Sequence, residues 1–433
     1  MDALSEQTFR SLTLPLPLGT AKALLRARDS SRLSLFVEMQ EEGSRPDTTT
    51  RTLPPPTVDD EEAAALAGLA EAIDGAIATL GGPVFVRLSS RSPKDVALHA
   101  PKTRHLIARE LDLQDSAAAA HQRAFDAPGV VDTLSPRDLA ETAESVALVR
   151  AISLVLAVDT GAEAVDMLSR STRVYEDIST AELLLQEAFD LAIVVRKWEV
   201  VEPELEFRTF VVNDAVVAIT QYTSNVFIPW MAAHADAIRD AIVAYHQRVV
   251  RDQFRTATGG SVESYVMDVV LGYVPVDELE SSIRLVEINN PPPVAGSGMF
   301  DWQDEGDRAL LTSDLAPDAL PTIRVQTAPV PTLERYAPGP LKRFIDRLRS
   351  RPAGEGEATH PGVVCSGCGM DPIIGSAFSC TACDAVLCEF CRSDRTHPPE
   401  HLFLVIPTDD NGSDGGDDVA AANDGAAAWC TLL

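Results

Sequence analysis

The chain has 433 residues, which suits one large domain or two unequal ones. Its 36 basic and 65 acidic residues give a formal net charge of −29, so most of the surface repels phosphate backbones and no nucleic-acid binding is expected. Hydrophobic residues make up 45% of the sequence, enough for a folded core, and the acidic surface favours a basic protein as partner.

The sequence predicts a protein of the cytoplasm. Residues 1–13 carry charges but lack the apolar core of a signal peptide. The apolar stretch at 147–158 is interrupted by Arg150 and is too short to span a bilayer. In a reducing compartment, clustered cysteines indicate metal binding rather than disulfides.

The N-terminal half predicts helices around one short strand. An alanine-rich segment with acids at its start predicts a helix over 59–80, and residues 84–88 form a β-rich run. Ser135-Pro136 predicts the start of a long helix that reaches about residue 158. The capping-box sequence from Ser179 to Glu182 predicts the start of another helix.

The middle of the chain predicts mainly strands. Asn213-Asp214 has the composition of a tight turn between two of them, and residues 231–254 have apolar side chains at helical spacing. The predicted strands cover residues 192–198, 204–212, 215–222, 264–271 and 283–289.

Six of the seven cysteines lie close together near the C-terminus, as three C-x2-C pairs followed by His397-x3-His401. Thiolates and imidazoles at these spacings bind tetrahedral zinc, and eight ligands complete two closed, structural sites. Three disulfides would leave the two histidines unexplained. Spacing alone leaves open whether the pairs combine in sequential order or crosswise. The cysteine pairs are Cys365 and Cys368, Cys380 and Cys383, and Cys388 and Cys391.

Cationic side chains lie within or beside the predicted strands, where burial is costly unless the charge is paired or functional. Arg87 interrupts the strand at 84–88, and the next loop offers Arg91 and Lys94 with several hydroxyl groups. This composition suits phosphate binding, although a solvated basic turn has the same features. A buried strand ends with two cations and an indole, all three useful beside a nucleotide: Arg196, Lys197 and Trp198.

Acidic side chains of the predicted strands suggest a magnesium site. Glu206 and Arg208 share one face of their strand, as a row of ion pairs or as part of a site. Asp268 lies in an apolar run, and Glu287 and Asn289 share a face of the last predicted strand. Two carboxylates and an amide oxygen suit Mg²⁺ whose remaining ligands are phosphates, although polar residues at strand ends also form ordinary hydrogen bonds.

Seven segments in the order found here resemble the cell division cycle protein 123 family. They are FVRLSSRSPKD at 85–95, VVRKWE at 194–199, ELEFRTFV at 204–211, QY at 221–222, DV at 268–269, EIN at 287–289 and MFDW at 299–302. The resemblance implies an α+β, ATP-grasp-like body of two subdomains with antiparallel sheets.

The same resemblance implies roles for the individual residues. Arg87 stands at the family's phosphate-contacting lysine, and Lys94 lies in the matching loop. Lys197 and Trp198 would border adenine. The implied cleft residues are Glu206 and Arg208, and the implied magnesium ligands are Asp268, Glu287 and Asn289.

Residues 360–406 resemble the ZZ-type zinc finger, through His360-Pro-Gly, Pro372-Ile-Ile-Gly375 and the ligand order. The resemblance implies a small protein-binding module with a cross-brace. Ser366 and Ala385-Val386 depart from the family's acidic pattern, so recognition of protein N-termini is not expected. The implied first zinc site is Cys365, Cys368, Cys388 and Cys391, and the second is Cys380, Cys383, His397 and His401.

The family resemblance implies an ATP-dependent assembly chaperone that binds the gamma subunit of eukaryotic translation initiation factor 2. The alternatives are an ATP-grasp ligase that activates a carboxylate for attack by an amine, and a zinc-finger adaptor with a degenerate nucleotide site. The protein ligand of the zinc finger is not identified by the sequence.

The sequence divides into five predicted regions and ends in a possible lipid site. Cys430-Thr-Leu-Leu433 fits a prenylation motif, which would make the acidic tail a weak membrane tether, or is a chance ending. The predicted regions are an N-terminal region at 1–58, the ATP-grasp-like domain at 59–324, a linker at 325–358, the zinc finger at 359–407 and a disordered tail at 408–433.

Overall fold

The protein is described by a computed structural model. The described residues are 8–28, 58–100, 102–103, 106–107, 109–110, 124, 126–184, 189–291, 293–314, 319–330, 345, 359–360, 362–366, 373–374, 376–388, 391–392, 397 and 401–406. The predicted zinc ligand Cys368, the tail at 408–433 and the prenylation motif at Cys430 lie outside them.

The chain forms two compact units, residues 1–352 and 353–433, and their boundary falls within the predicted linker. The first unit contains helices and two separate sheets, and the second contains short antiparallel strands. The predicted α+β class with antiparallel sheets is confirmed.

The elements of the first unit follow in chain order. The strands are β1 (Ser11–Pro15), β2 (Val84–Leu88), β3 (Ala157–Val158), β4 (Ala192–Lys197), β5 (Glu206–Val212), β6 (Ala215–Gln221), β7 (Tyr265–Val270), β8 (Arg284–Asn289) and β9 (Thr322–Arg324). The helices are residues 18–28, Asp60–Leu80, Pro128–Val131, Pro136–Val155, Gly161–Arg170, Thr172–Leu184, Pro229–Ala233, Ala235–Tyr245, His246–Val250, Arg251–Ala257, Leu279–Ser282 and Glu305–Thr312.

The first sheet has the antiparallel order β1-β4-β2-β3. Val84, Val86 and Leu88 alternate into its buried face, whereas Phe85 and Arg87 point to the other face. The helix Asp60–Leu80, which the sequence predicts, packs against this sheet and starts from a capping box at Asp59. The same helix is long and apolar enough to span a membrane by length and composition alone.

β1 was missed by the sequence analysis, which treated residues 1–58 as partly irregular. It is an edge strand whose pattern is weak, with only two leucines and a terminal proline among five residues. Its stability comes from backbone pairing with β4, continued by the hydrogen bond that the Lys197 N–H donates to the Arg10 carbonyl at 2.8 Å. A strand held by long-range pairing leaves little local signal.

The second sheet has the order β8-β7-β5-β6-β9, antiparallel except for the parallel pair β6 and β9. Asn213 and Asp214 make the tight turn between β5 and β6 with positive φ angles of 48° and 60°, which confirms the predicted hairpin. One face packs on the main core. That core includes Phe207, Val211, Ile219, Tyr265 and Met267 from the sheet, and Ile238 and Ile242 from the helix Ala235–Tyr245.

Two helix predictions were wrong in detail. Ser179 lies inside the helix Thr172–Leu184 and does not cap it. The start is capped instead by Asp95, whose carboxylate accepts from the Thr172 N–H at 2.7 Å, and by the Ser171 hydroxyl. The predicted helix at 231–254 is divided at His234 and contains a π-helical turn, His246–Val250.

The π-helical turn places a buried histidine against the second sheet. His246 is 1% exposed, and its Nε2 lies 2.8 Å from the Tyr265 hydroxyl. Burial, reinforced by the nearby Arg251, lowers the pKa of His246 from 6.5 to about 4. The neutral ring is therefore the form that the fold accommodates.

We expect acid to weaken the fold through His246. Between pH 6.5 and 4 the unfolded chain binds a proton there and the folded chain does not, so stability falls by about 1.4 kcal/mol per pH unit. The free energy of unfolding, measured with urea, should fall between pH 7.5 and pH 5.0 for both proteins. We expect the fall to be larger by about 2 kcal/mol for the native chain than for His246→Gln. His234→Gln, at a half-buried position, is the control, and equal losses for all three proteins would contradict the prediction.

Candidate functional site

The face of the second sheet opposite the main core carries the predicted magnesium ligands. Asp268 on β7 lies directly opposite Arg208 on β5 and opposite Glu287 on β8. Asn289 lies two residues beyond Glu287 and so shares its face. The sequence alone placed Glu287 and Asn289 on one face of a strand. The antiparallel register adds Asp268 and Arg208 from the two neighbouring strands.

Asp268 is the centre of this arrangement and is completely buried. Arg208 donates to its two carboxylate oxygens at 2.9 and 2.8 Å, and Asn289 Nδ2 donates to one of them at 2.8 Å. Burial raises the pKa of Asp268 even though Arg208 opposes the shift. The bidentate arginine therefore neutralises a carboxylate that could not otherwise remain charged there.

Arg87 crosses from the first sheet to the second. Its guanidinium forms an ion pair with Glu287 and also donates to the carbonyls of Leu88 and Ser90 at 3.0 and 3.1 Å. Burial acts to raise the pKa of Glu287, but the charge of Arg87 and its hydrogen bond outweigh burial and lower that pKa. A predicted phosphate contact and a predicted magnesium ligand are thus partners in this structure.

Lys94 and Glu206 form a second polar group in the same cleft. Lys94 Nζ lies 4.0 Å from Glu206 and 3.4 Å from the Tyr222 hydroxyl. Burial raises the pKa of Glu206 to about 7, although the charge of Lys94 opposes the shift. Burial alone would lower the pKa of Lys94, but the charge of Glu206 and other neighbours raises it.

Tyr222 joins the two groups and was given no role by the sequence analysis. Lys94 Nζ lies 4.6 Å from the centre of its ring, and the guanidinium carbon of Arg208 lies 5.0 Å from it. The available signal was its place in the QY segment that carries the family resemblance, but a lone tyrosine at a strand end names no function.

A recess of about 120 Å³ opens beside these charges. Lys197 and Trp198 line it together with Lys94 and Glu206, so four of the predicted nucleotide-contacting residues meet there. The other lining residues are mostly apolar. They are Phe9, Phe85, Ser153, Leu156, Arg196, Glu199, Val201, Pro203, Val270 and Val286.

Arg196, which the sequence also placed among the side chains useful beside a nucleotide, lines the recess. It donates to the Val286 carbonyl at 3.0 Å, but its Nε is buried and has no hydrogen-bond partner among the described atoms. Burial and the neighbouring charge of Arg87 lower the pKa of this arginine. A buried donor left unpaired is costly, so an acceptor at this position would be stabilising.

The structure engages Arg91 elsewhere. Its guanidinium pairs with Asp177 and Glu176 and donates to the Arg173 carbonyl at 3.2 Å, all on the helix Thr172–Leu184. Ser90 bonds to the same Asp177. The loop after β2 is thereby fixed to this helix, and phosphate binding by Arg91 stays a prediction.

The second unit brings the zinc-ligand residue types together in two groups. The strands are β10 (Thr359–His360), β11 (Ile373–Ile374), β12 (Ala377–Cys380), β13 (Val386–Cys388) and β14 (Phe403–Ile406). Within each group the ligand atoms lie within 4.8 Å of one another. One group is Cys380, Cys383, His397 and His401, and the other is Cys365, Cys388 and Cys391.

This grouping is crosswise, and it decides between the arrangements that spacing left open. In sequential order Cys365 would meet Cys380 rather than Cys388. Instead, β12 pairs with β13 and β14, which places Cys380 beside the segment of His401. His397 Nε2 lies 3.1 Å from Cys380 Sγ and 3.0 Å from His401 Nδ1, a convergence of thiolate and imidazole donors that fits tetrahedral zinc.

Pairs of substitutions should reveal the grouping in solution. Because Cys365 and Cys391 belong to one group, we expect Cys365→Ser/Cys391→Ser to keep one of two zinc ions, as each single variant does. Cys365→Ser/His401→Ala should lose both. Zinc content by elemental analysis is the measurement, with Cys430→Ser as the control that keeps two, and loss of both ions from the first pair would indicate sequential sites.

Comparisons with known proteins find similarities in both parts of the chain. The D123 family model matches residues 155–326. The translation initiation factor eIF2 assembly protein of Sclerotinia sclerotiorum is 31% identical over 137 residues, which cover 32% of this chain and 30% of that protein. The chain thus matches less than a third of that relative's length.

Two solved structures complete the comparison. Cdc123 from Schizosaccharomyces pombe is 16% identical with a TM-score of 0.42, covering 75% of this chain and 92% of that one. The HERC2 ZZ domain in complex with the SUMO1 tail is 45% identical with a TM-score of 0.12, covering 12% of this chain and 95% of that one. The predicted resemblances are confirmed: residues 155–326 match the D123 family model, and a segment of 45 residues is 49% identical to the E3 ubiquitin-protein ligase HERC2 of Homo sapiens.

Proposed function

We propose that this protein binds ATP with Mg²⁺ and uses the bound state to assist assembly of translation initiation factor 2, with the gamma subunit as its direct partner. The observation that carries the proposal is the cleft of mutually paired buried charges beside a mostly apolar recess. The names of the relatives as eIF2 assembly proteins support the assembly role.

The donor chemistry of the cleft fits magnesium. Asp268 and Glu287 supply carboxylate oxygens, and Asn289 points its amide nitrogen at Asp268, which leaves its amide oxygen as a further ligand. Mg²⁺ prefers such oxygen ligands, takes few of them from protein and completes its shell with phosphates and water. Asp268, Glu287 and Asn289 would therefore hold the ion, which would supply positive charge to the phosphate chain.

The cations of the cleft fit the phosphates. Arg208 binds both oxygens of Asp268, and Arg87 binds Glu287 through one nitrogen, so the present partners of both are proposed magnesium ligands. Once the carboxylates have a metal as partner, both guanidinium groups can donate to phosphate oxygens. Lys94 lies between the recess and these arginines, so it would bind at the junction of phosphates and nucleoside.

The recess fits the base. Its volume of about 120 Å³ is below the roughly 300 Å³ of a pocket for a whole small ligand. A flat ring between apolar walls, with the phosphates outside over the charged cleft, agrees with that size. Trp198 and Lys197 would border the ring, and the unpaired Nε of Arg196 would gain an acceptor.

Binding of nucleotide and metal should therefore be interdependent. Calorimetric titration of ATP with Mg²⁺ should give micromolar affinity, and Asp268→Asn/Glu287→Gln should weaken it at least tenfold because the metal loses both charged ligands. Asp307→Asn is the matched control, since its ion pair with Arg324 lies in the same sheet but outside the cleft. Full affinity of the double variant would contradict the assigned magnesium site.

A second titration isolates the ion pair between the sheets. Glu287→Gln removes the partner of Arg87 and one magnesium ligand together. We therefore expect this variant to bind ATP more tightly than the native chain in the presence of a chelator, and more weakly in the presence of Mg²⁺. If the variant lost affinity under both conditions, Glu287 would be contributing to the fold of the cleft and not to the exchange of partners.

The assembly role needs a test on the partner. Purified gamma subunit should be retained by the native chain in the presence of ATP and Mg²⁺, and the Asp268→Asn/Glu287→Gln variant should retain less. Addition of the other subunits should release the complete factor.

Release of ADP that depends on a small amine instead of the protein would indicate a ligase. The cytoplasmic location and the Cys430 tether stay predictions.

A further inference from the structure

The N-terminal segment contributes one residue to the recess that neither the sequence analysis nor the comparisons assign. Phe9 precedes β1 and lines the recess, although it is almost 190 residues away in sequence from Lys197 and Trp198. It is 8% exposed, so its ring is part of the wall and not a surface side chain. We propose that Phe9 is a specificity-determining residue that closes the base end of the nucleotide site.

Backbone pairing fixes the position of Phe9. Ser11 pairs with Arg196 in the register of β1 and β4, and the Ser11 hydroxyl donates to the Phe9 carbonyl at 3.0 Å. The Arg10 carbonyl accepts from the Lys197 N–H at 2.8 Å. The segment around Phe9 thus runs alongside Arg196 and Lys197, which line the recess. Pairing within the first sheet therefore positions the Phe9 ring at the recess.

Two arginines hold the ring between the sheets. The guanidinium carbon of Arg284, on β8, lies 4.4 Å from the ring centre, and that of Arg196, on β4, lies 5.6 Å from it. Arg284 also pairs with Glu199, which lines the recess just after Trp198. Because guanidinium groups on two strands already hold the Phe9 side chain, it loses little additional conformational entropy when a ligand binds. This preorganisation favours tight packing of Phe9 against the planar ring of a ligand.

The chemistry of the wall defines what Phe9 can recognise. An aromatic edge or face adds contact with a planar heterocycle but nothing to a phosphate chain, which the cations bind. Removing the ring should therefore lower affinity for ligands that carry a base and leave base-free polyphosphate unaffected. This inference rests on the proposed nucleotide site and concerns which residue of this chain selects the base.

The test compares ATP with inorganic tripolyphosphate, both with Mg²⁺, by calorimetric titration of the full chain. For Phe9→Ala we expect about a tenfold loss of affinity for ATP, the scale of one aromatic contact, and less than a twofold change for tripolyphosphate. Leu16→Ala is the control, because Leu16 is buried at the other end of the same segment and is not among the described lining residues. Its affinity for both ligands should match that of the native chain.

Each result separates this inference from the proposed function. An unchanged affinity of Phe9→Ala for ATP, or an equal loss for both ligands, would overturn the role of Phe9 while leaving nucleotide binding in place. Phe9→Leu restores volume without a ring, so full recovery of ATP affinity in that variant would also overturn aromatic recognition. Absence of binding by the native chain to either ligand would overturn the nucleotide site itself, and this inference with it.

Discussion

The ion pair between Arg87 and Glu287 is the contact on which the cleft depends. It joins the first sheet to the second at a place where both side chains are largely withdrawn from water, with side-chain exposures of 13% and 22%. Taking either charge out of water without the other would be strongly unfavourable. The two sheets therefore come together only if the charges they bring are matched.

Asp268 extends the same constraint to the middle of the second sheet. It is fully buried and is satisfied by Arg208 and Asn289, while Lys94 offsets Glu206 at the mouth of the recess. Each pairing costs desolvation that a well-packed apolar pair would not. The cleft thus keeps groups that are expensive for stability and suitable for a charged ligand, which is the usual compromise of binding sites. In the proposed exchange of partners, a metal and a phosphate chain would satisfy the same two sets of groups.

The parts of the fold that the sequence could predict are those with local rules. Runs of β-forming residues located six strands of the body to within two residues, and the acids at the start of an alanine-rich segment located the helix Asp60–Leu80. The cysteine spacing identified zinc chemistry for a similar reason, since each C-x2-C pair is a local unit. Which pairs combine is a long-range property, and only the pairing of β12 with β13 and β14 decides it.

The errors share a single cause, which is the dominance of distant contacts over local signals. Ser179 has the sequence of a cap, but Asp95 caps that helix from another element. Arg91, whose predicted phosphate binding stays a prediction, shows the same effect, because Asp177 and Glu176 pair with it from a helix that the sequence could not place beside it. β1 has almost no local signal and is nevertheless the strand that delivers Phe9 to the recess. Phe9 therefore lies in a segment with a weak strand pattern of its own. Its position is set by the pairing of β1 with β4, which has a clear pattern of apolar residues. The sequence around Phe9 has only to provide the aromatic side chain.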